Sequence, residues 1–243
     1  MQTPTFSRTD KNQFFRTLNK RVNDYFKEHN IDKTGNWKLH LKAGVMFSLF
    51  FIPFFVIFFI DIPVLAYLFA SIIIGVGMAG VGMNVMHDGN HGSYSSKTWL
   101  NKIMGGSIYI LAGNVYNWQV QHNVLHHTYT NIPGHDEDLD AGRVIRFTKE
   151  ATWYKFHAFQ HYYSIFLYGL LTINWCLTTD FKQMGGYLKR KLSYGNPPNP
   201  KTLWTGLVIS KIVYFSFWIV LPLIFGVASW WVILIGFFIM HYT

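Results

Sequence analysis

Histidines are concentrated in two short stretches of this 243-residue chain, and their spacing suits metal binding. The first histidine cluster is His87 and His91. The second, about thirty residues later, is His122, His126 and His127. On an α-helix, residues four apart lie on one face, so each cluster predicts a pair of imidazoles that point the same way. His127 is rotated by about 100° from His126, toward the far side of the same metal ion or toward a second one.

The type of metal site can be narrowed from the residues around the histidines. Imidazole is a ligand for zinc, copper, iron and nickel. A zinc protease would carry His-Glu-x-x-His, in which the glutamate is the general base. Here Asp88 follows His87, a second cluster is present, and the flanking sequence is apolar, which argues against zinc hydrolysis. One histidine pair at a helix end is often only an interfacial feature, but two clusters in so apolar a chain predict a metal centre.

The composition is that of a membrane protein. Half of the residues (50%) are hydrophobic, 19% are aromatic and 14% are charged. A helix crosses the bilayer core with about 20 apolar residues, and four segments approach this length: 43–60, 64–86, 203–225 and 229–243. The net charge of +9 predicts cationic loops that face an anionic cytoplasmic leaflet, and no nucleic-acid partner is expected. The single cysteine, Cys176, excludes an intrachain disulfide and a cysteine-based metal site.

Three further segments are predicted to lie at the membrane surface. Residues 1–42 are a basic, cytosolic arm whose apolar residues recur every three or four positions. This pattern predicts an amphipathic helix that lies on the membrane or on the protein's own cytosolic cap. Residues 104–118 are apolar but too short to span. Residues 162–179 are long enough, but a crossing would separate the later lysines from the basic arm, so an interfacial position is preferred.

The predicted fold is an all-α polytopic membrane protein. Two transmembrane helical hairpins, 43–86 and 203–243, send their ends to the cytoplasm, where the histidine clusters and the interfacial helices form a cap. Lys211 is expected to reach the cytoplasmic edge or to face the protein interior. Small residues allow helices to pack closely, or leave room for a ligand chain beside the helix. The second span has four of them: Gly75, Gly77, Gly80 and Gly82.

Other polar residues near the clusters receive supporting or structural interpretations. Asn84 lies one turn before His87, where it supports the site or is an ordinary polar residue at a helix end. His157 and His161 are flanked by aromatic residues, which favours a packing or supporting role. The acidic run is predicted to be a solvated loop rather than a set of oxygen ligands for a metal; it consists of Asp136, Glu137, Asp138 and Asp140.

Together these motifs resemble the membrane-bound, histidine-box fatty-acid desaturases. The resemblance rests on His-x-x-x-His at the end of a predicted span and on Gln121-His122-Asn123-Val124-Leu125-His126-His127-Thr128, and it covers nearly the whole chain after the arm. The extension Thr128-Tyr129-Thr130-Asn131 is similar to the bacterial acyl-CoA or acyl-lipid branch with the front-end, linoleoyl-CoA desaturase-like enzymes. The family's third box, H/Q-x-x-H-H, is absent, so the chain is expected to be truncated at its C-terminal end and incomplete for activity. His241 is a candidate ligand, although a packing role is preferred.

The resemblance implies a cofactor, a reaction and partners. Two non-haem iron ions would be bound by the five histidines of the two clusters. With O₂ as co-substrate, the enzyme would introduce a cis double bond into an acyl-CoA or acyl-lipid chain. Asp88 and Asn123 are candidates to hold ligating imidazoles by accepting their other N–H. No flavin, haem or iron–sulfur motif is present, so electrons are expected from a ferredoxin or a cytochrome b5-like partner, attracted by the basic face.

The expected location is a bacterial inner membrane, with the N-terminus and the histidine clusters on the cytoplasmic side. Two other functions stay open. The same iron site could hydroxylate a fatty acyl chain or another hydrocarbon, and the motif does not separate this reaction from desaturation. A non-catalytic metal-binding membrane protein, such as a transporter, would be favoured by histidines or acids in the middle of the spans. The predicted spans carry only Lys211 as a charge, and the histidines lie at their ends.

Overall fold

The structure is a computed structural model that describes residues 4–6 and 13–243. Every ordered element in this part of the chain is a helix. The predicted amphipathic helix of the arm is present from Phe14 onward, and residues 1–3 and 7–12 lie outside the described part. In chain order the longer helices are α1 (Phe14–Glu28), α2 (Trp37–Phe59), α3 (Val64–Asn90), α4 (Thr98–Gly106), α5 (115–129), α6 (Gln160–Tyr168), α7 (171–190), α8 (Pro200–Ile224) and α9 (Trp230–Tyr242).

Three of the described helices, α2, α3 and α8, are long and apolar enough to cross a membrane. They correspond to the predicted spans 43–60, 64–86 and 203–225. The fourth predicted span corresponds to α9, which has 13 residues. At 1.5 Å per residue this helix is about 20 Å long, which is less than the hydrocarbon thickness of a bilayer. The all-helical membrane architecture is therefore confirmed, whereas the second transmembrane hairpin stays a prediction.

Helix α3 packs closely against both α2 and α9 through its glycines. A methyl group at Gly77 would lie 2.7 Å from the backbone nitrogen of Phe50 in α2. A methyl group at Gly75 would lie 2.6 Å from the carbonyl oxygen of Met240 in α9. Neither space admits a carbon atom without a shift of backbone. The predicted close approach is thus confirmed at these two positions.

The two segments that were predicted not to span are broken into short helices. Between the histidine clusters, α4 continues into a 3₁₀ turn, Ser107–Leu111, and the chain then reverses at Ala112, which has a positive φ of 61°. Further on, α6 ends at Tyr168 and α7 begins after a two-residue break. Neither segment is among the helices that are long enough to cross a membrane. Both segments instead connect the long helices.

A buried ion pair joins α8 to α7 and to the start of α5. Lys211 Nζ lies 2.6 Å from Asp180 Oδ2 and also donates to the carbonyl oxygen of Ala112. Asp180 Oδ1 accepts hydrogen bonds from Asn117 Nδ2 (3.0 Å) and Trp175 Nε1 (3.1 Å). Because a buried charge pair is tolerated only when its remaining polar atoms are satisfied, this network is a specific junction. Lys211 therefore faces the protein interior, and the pair fixes the start of the helix that carries the second cluster.

Candidate metal centre

The first histidine cluster has the geometry that its spacing predicts. His87 lies in the last turn of α3, and His91 directly follows this helix. The two rings lie on one side, with their centroids 4.5 Å apart. Asp88 Oδ1 lies 3.3 Å from Nδ1 of His87. The expected contact between Asp88 and the imidazole of His87 is present, and it leaves Nε2 of His87 to face the second cluster.

The second histidine cluster has a different helical register from the predicted one. Residues Gln119–His126 form a π-helix, in which hydrogen bonds run from residue i to i+5. Residues five apart therefore come together, and His127 Nε2 lies 3.3 Å from His122 Nε2. His126 also lies beside His122, as the four-residue spacing predicts, with the two rings stacked and their centroids 5.3 Å apart. Nδ1 of His126 faces an acidic turn further along the chain.

Histidines from both clusters converge on one region. His122 Nε2 lies 3.2 Å from His87 Nε2 and 3.3 Å from His127 Nε2. The potential ligand atoms of His87, His91 and His122 all lie within 4.8 Å of one another. Two nitrogen ligands that are each about 2.1 Å from one ion, at angles between about 90° and 110°, lie about 3.0 to 3.4 Å apart. The spacing of these imidazoles therefore fits a bound metal ion.

The protonation of the cluster also suits metal binding. Burial, together with the neighbouring His87 and His127, lowers the pKa of His122 to about 4. Burial and the same two neighbours lower the pKa of His91. The neutral imidazole is the form that binds a metal ion. At neutral pH these rings therefore present lone pairs to the centre rather than positive charges.

Trp118 closes one side of the cluster. Its ring stacks on His122 with centroids 4.5 Å apart, and its centroid lies 5.7 Å from that of His87 and 5.8 Å from that of His91. The side chain is buried in an apolar group with Met86. Sequence analysis did not identify this residue, although its position four residues before His122 was an available signal. Trp118 supplies an apolar wall that keeps water from this face of the imidazoles.

The acidic run lies next to His126. Its residues 136–140 are called the acidic turn below. Nδ1 of His126 lies 3.1 and 3.2 Å from the two oxygens of Asp136 and 3.0 Å from Asp138 Oδ2. Asp136 is buried and accepts backbone hydrogen bonds from Asn131 (2.8 Å) and Asp138 (3.1 Å). Burial opposes ionisation of Asp136, but these hydrogen bonds outweigh it and lower the pKa of the carboxyl. The solvated-loop interpretation is therefore wrong for Asp136.

The contact with Asp136 determines which nitrogen of His126 is available. A ring that donates Nδ1–H to a carboxylate keeps its lone pair on Nε2, the atom that can bind a metal ion. His126, Asp136 and Asp138 also form a second group whose potential ligand atoms lie within 4.8 Å of one another. With Nδ1 of His126 engaged in this way, the carboxylates act on the ring as hydrogen-bond acceptors.

The two asparagines that were predicted to support the site make other contacts. Asn84 Nδ2 donates to the carbonyl oxygen of Gly80, 2.9 Å away, within its own helix. Asn123 Nδ2 donates to the backbone carbonyl of Asn90 at 3.3 Å. Among the described residues, Asn123 Oδ1 is buried without a hydrogen-bond partner, so it accepts nothing from a histidine ring. Asn84 is thus an ordinary polar residue of its own helix. The side chain of Asn123 connects the two clusters by its hydrogen bond to the backbone carbonyl of Asn90.

Asn90 joins the first cluster to the helices α4 and α5. Its buried amide Nδ2 donates to the carbonyls of Met86 (3.1 Å) and Gly105 (3.0 Å). Its Oδ1 accepts a hydrogen bond from Gln119 Nε2 at 3.1 Å. The side chain therefore binds α3 to α4 and to the π segment of α5. Sequence analysis missed this role, although Asn90 lies inside the His-Asp-Gly-Asn-His motif.

The remaining histidines near the site are engaged elsewhere. His241 is buried, with Nε2 2.8 Å from Tyr214 Oη and Nδ1 3.2 Å from Thr172 Oγ1. Both ring nitrogens are therefore occupied, as the preferred packing role requires. His157 accepts a hydrogen bond from the backbone N–H of Tyr154 and lies 3.0 Å from the carbonyl oxygen of Arg143, which is also a local structural role.

Comparison with known proteins assigns the family. A family model described as fatty acid desaturase matches residues 62–243, which is most of the chain and includes both clusters. The chain belongs to the fatty acid desaturase family. No solved structure matches it.

Several curated proteins are similar to the chain. A sn-1 linoleoyl-lipid 6-desaturase of Arthrospira platensis is 34% identical over 77% of this chain and 50% of its own length. An acyl-lipid (8-3)-desaturase of Physcomitrium patens is 31% identical over 92% of this chain and 47% of its own length. A sn-1 linoleoyl-lipid 6-desaturase of Synechocystis is 29% identical over 90% of this chain and 60% of its own length. The chain thus spans between 47% and 60% of the length of these three relatives.

Proposed function

We propose that this chain carries the metal centre of an O₂-dependent desaturase that introduces a cis double bond into an acyl-lipid or acyl-CoA chain. The observation that carries this proposal is the convergence of imidazoles from both clusters, with His122 Nε2 within 3.3 Å of both His87 and His127. Three relatives are named as acyl-lipid or linoleoyl-lipid desaturases, which supports the same reaction and favours an acyl-lipid substrate.

The five histidines His87, His91, His122, His126 and His127 would hold two non-haem iron ions. When bound, such a centre supplies the oxidising power, with O₂, to remove hydrogen from two adjacent acyl carbons. The chain's own residues bind and orient. Asp88 and Asp136 fix the tautomers of His87 and His126 through their Nδ1 atoms. Trp118 shields the cluster from water on one side.

An apolar cavity is available for hydrocarbon near the membrane helices. Its volume is about 450 Å³, and it lies between α2 and α8. Aromatic and aliphatic side chains line it, including Phe50, Tyr109, Val213 and Trp218. Burial of methylene groups against such a lining contributes about 0.8 kcal/mol for each CH₂. This surface supports an acyl chain as the substrate.

The arrangement in the membrane and the electron donor complete the proposal. Residues 1–42 form a cytosolic arm, and residues 43–243 form the membrane domain. The N-terminus and both clusters are proposed to lie on the cytoplasmic side of a bacterial inner membrane, and the cationic residues of the arm and of α7 support this orientation. The same positive charge would attract an acidic ferredoxin or a cytochrome b5-like protein as electron donor.

Product analysis tests this function. The natural protein is purified in detergent and given an acyl-lipid or acyl-CoA, O₂ and a reducing system, and the fatty acids are analysed by mass spectrometry. A new cis double bond is expected, and His126→Ala should abolish it, whereas His161→Ala, at an exposed histidine outside the clusters, should retain it. A hydroxylated chain would instead assign the protein to the hydroxylase alternative. An unaltered chain, with metal still bound, would favour the non-catalytic metal-binding alternative.

A further inference from the structure

We propose that Glu137, Tyr187 and Arg190 form a clamp that positions the acidic turn against His126. The clamp lies outside the imidazole cluster and touches neither a proposed metal ligand nor the cavity. It acts through the turn, so these three are positioning residues. The inference rests on the proposed function only in taking His126 as a metal ligand.

The clamp occupies both oxygens of the Glu137 carboxylate. Tyr187 Oη donates to Glu137 Oε2 at 2.5 Å, and Arg190 Nη2 lies 2.5 Å from Glu137 Oε1. Gln183 Nε2 lies 3.5 Å from Oε2. The three partners are spaced by four and three residues, so they lie on one face of α7. One helix face therefore holds this carboxylate from two directions.

Glu137 is connected to His126 by a very short path. Its two chain neighbours, Asp136 and Asp138, are the residues whose carboxylates contact His126 Nδ1. The 3₁₀ turn Glu137–Leu139 is capped by Asp136, which accepts a hydrogen bond from the N–H of Asp138. These three residues therefore move as one unit. A change in the position of Glu137 must also displace the two carboxylates that face the imidazole.

The opposite end of the clamp is fixed to the same helix that carries His126. Tyr187 is fully buried in an apolar group that includes Met184 of α7 and Val120 and Leu125 of α5. Burial, followed by the hydrogen bond to Glu137, raises the pKa of Tyr187, so its hydroxyl stays a donor at neutral pH. Packing of α7 on α5 thus sets the distance between the acidic turn and the ring of His126.

The expected effect follows from the general behaviour of residues that orient metal ligands. Loss of a group that contacts a ligand directly costs about 10- to 100-fold in metal affinity. The clamp is one step further away, and the backbone hydrogen bonds of Asp136 limit how far the turn shifts when the clamp is lost. We therefore expect Tyr187→Phe to weaken iron binding by about fivefold, a fraction of the effect of removing the Asp136 carboxylate.

The test is the affinity for Fe²⁺ of the natural protein in detergent, measured by anaerobic equilibrium dialysis. Tyr187→Phe removes only the hydroxyl group. Tyr116→Phe is the matched control, because Tyr116 lies in the same apolar group but donates to the carbonyl oxygen of Leu192 (2.8 Å). We expect weaker binding in the first variant and wild-type affinity in the second. In an Asp136→Asn background, Tyr187→Phe should have little further effect, since both changes act through the same contact.

Three outcomes would overturn the clamp. Wild-type affinity in both Tyr187→Phe and Glu137→Gln would show that the turn keeps its position without it. Equal losses in Tyr187→Phe and Tyr116→Phe would assign the effect to general packing. Full additivity with Asp136→Asn would show that Tyr187 acts elsewhere.

Glu137→Gln, on the half-buried turn, also serves as the test variant if Tyr187→Phe does not fold. Absence of Fe²⁺ binding by the wild type would contradict the proposed function itself, which is a separate failure.

Discussion

The imidazoles of the two histidine clusters converge on one region by different backbone geometries. The first cluster follows an α-helical turn, in which His87 and His91 are neighbours because they are four residues apart. The second lies on a π-helix, in which His122 meets His127, five residues on. His126 stacks on the other side of His122, with centroids 5.3 Å apart, while its Nδ1 faces a carboxylate. The π segment therefore brings both His126 and His127 next to His122.

The support of the two clusters differs as well. His87 is held by Asp88, its chain neighbour, at 3.3 Å and in a partly exposed position. His126 is held by Asp136, which is buried, fixed by backbone hydrogen bonds and clamped through its neighbour Glu137. A buried, oriented acceptor stabilises one tautomer more strongly than an exposed one. The second cluster should therefore depend more on its surroundings than the first.

The largest effect is expected where the clusters meet. His122→Ala removes the imidazole that lies within 3.3 Å of both His87 and His127. We expect a loss of metal affinity of more than about 100-fold, because a ligand is removed rather than an orienting group. Equilibrium dialysis with Fe²⁺ measures it, and His161→Ala is the control. Retention of near wild-type affinity would show that the clusters do not share a centre.

The difference in support can be measured with two matched substitutions. Asp136→Asn and Asp88→Asn each replace a carboxylate by an amide of the same size. We expect about 10- to 100-fold weaker Fe²⁺ binding for the first and only a few-fold change for the second. Equal effects would remove the distinction between the two clusters.

The hydrogen bonds of Asn90, which join the first cluster to α4 and α5, should contribute to the stability of the fold. Asn90→Ala removes three hydrogen bonds and leaves Gln119 and the Gly105 carbonyl without this partner. We expect the free energy of unfolding to fall by about 1–3 kcal/mol. Denaturant unfolding in detergent micelles measures it. Asn84→Ala is the control, since the Asn84 amide donates a hydrogen bond only within its own helix. A loss of stability in this variant as large as that of Asn90→Ala would argue against the proposed role of Asn90.

A loss of stability of similar size is expected away from the clusters, where α3 meets α2. Gly77→Ala places a methyl group 2.7 Å from the backbone nitrogen of Phe50, and overpacking of this kind costs about 1–3 kcal/mol. Gly44→Ala is the control, because a methyl group there meets no atom within 4 Å beyond the adjoining backbone of its own helix. We expect a lower midpoint of thermal unfolding for the first variant and an unchanged or higher one for the second. The reverse order would contradict the close packing of α3.

The sequence predicts the parts of the molecule that depend on local pattern. Apolar length locates α2, α3 and α8, glycine spacing predicts the close contacts of α3, and the four-residue spacing predicts the geometry of His87 and His91. The π-helix at the second cluster has no comparable signature in the sequence. Burial of Asp136 and the pairing of Lys211 with Asp180 also depend on distant contacts, so neither could be predicted from the residues alone.

The central claim is that histidines of both clusters bind iron at one centre. Elemental analysis of the natural protein, purified in detergent, tests it most directly when wild type and His122→Ala are compared. We predict two iron ions per chain and no zinc in the wild type, with most of the iron lost in the variant. Zinc alone, no metal, or full iron retention in His122→Ala would contradict the claim.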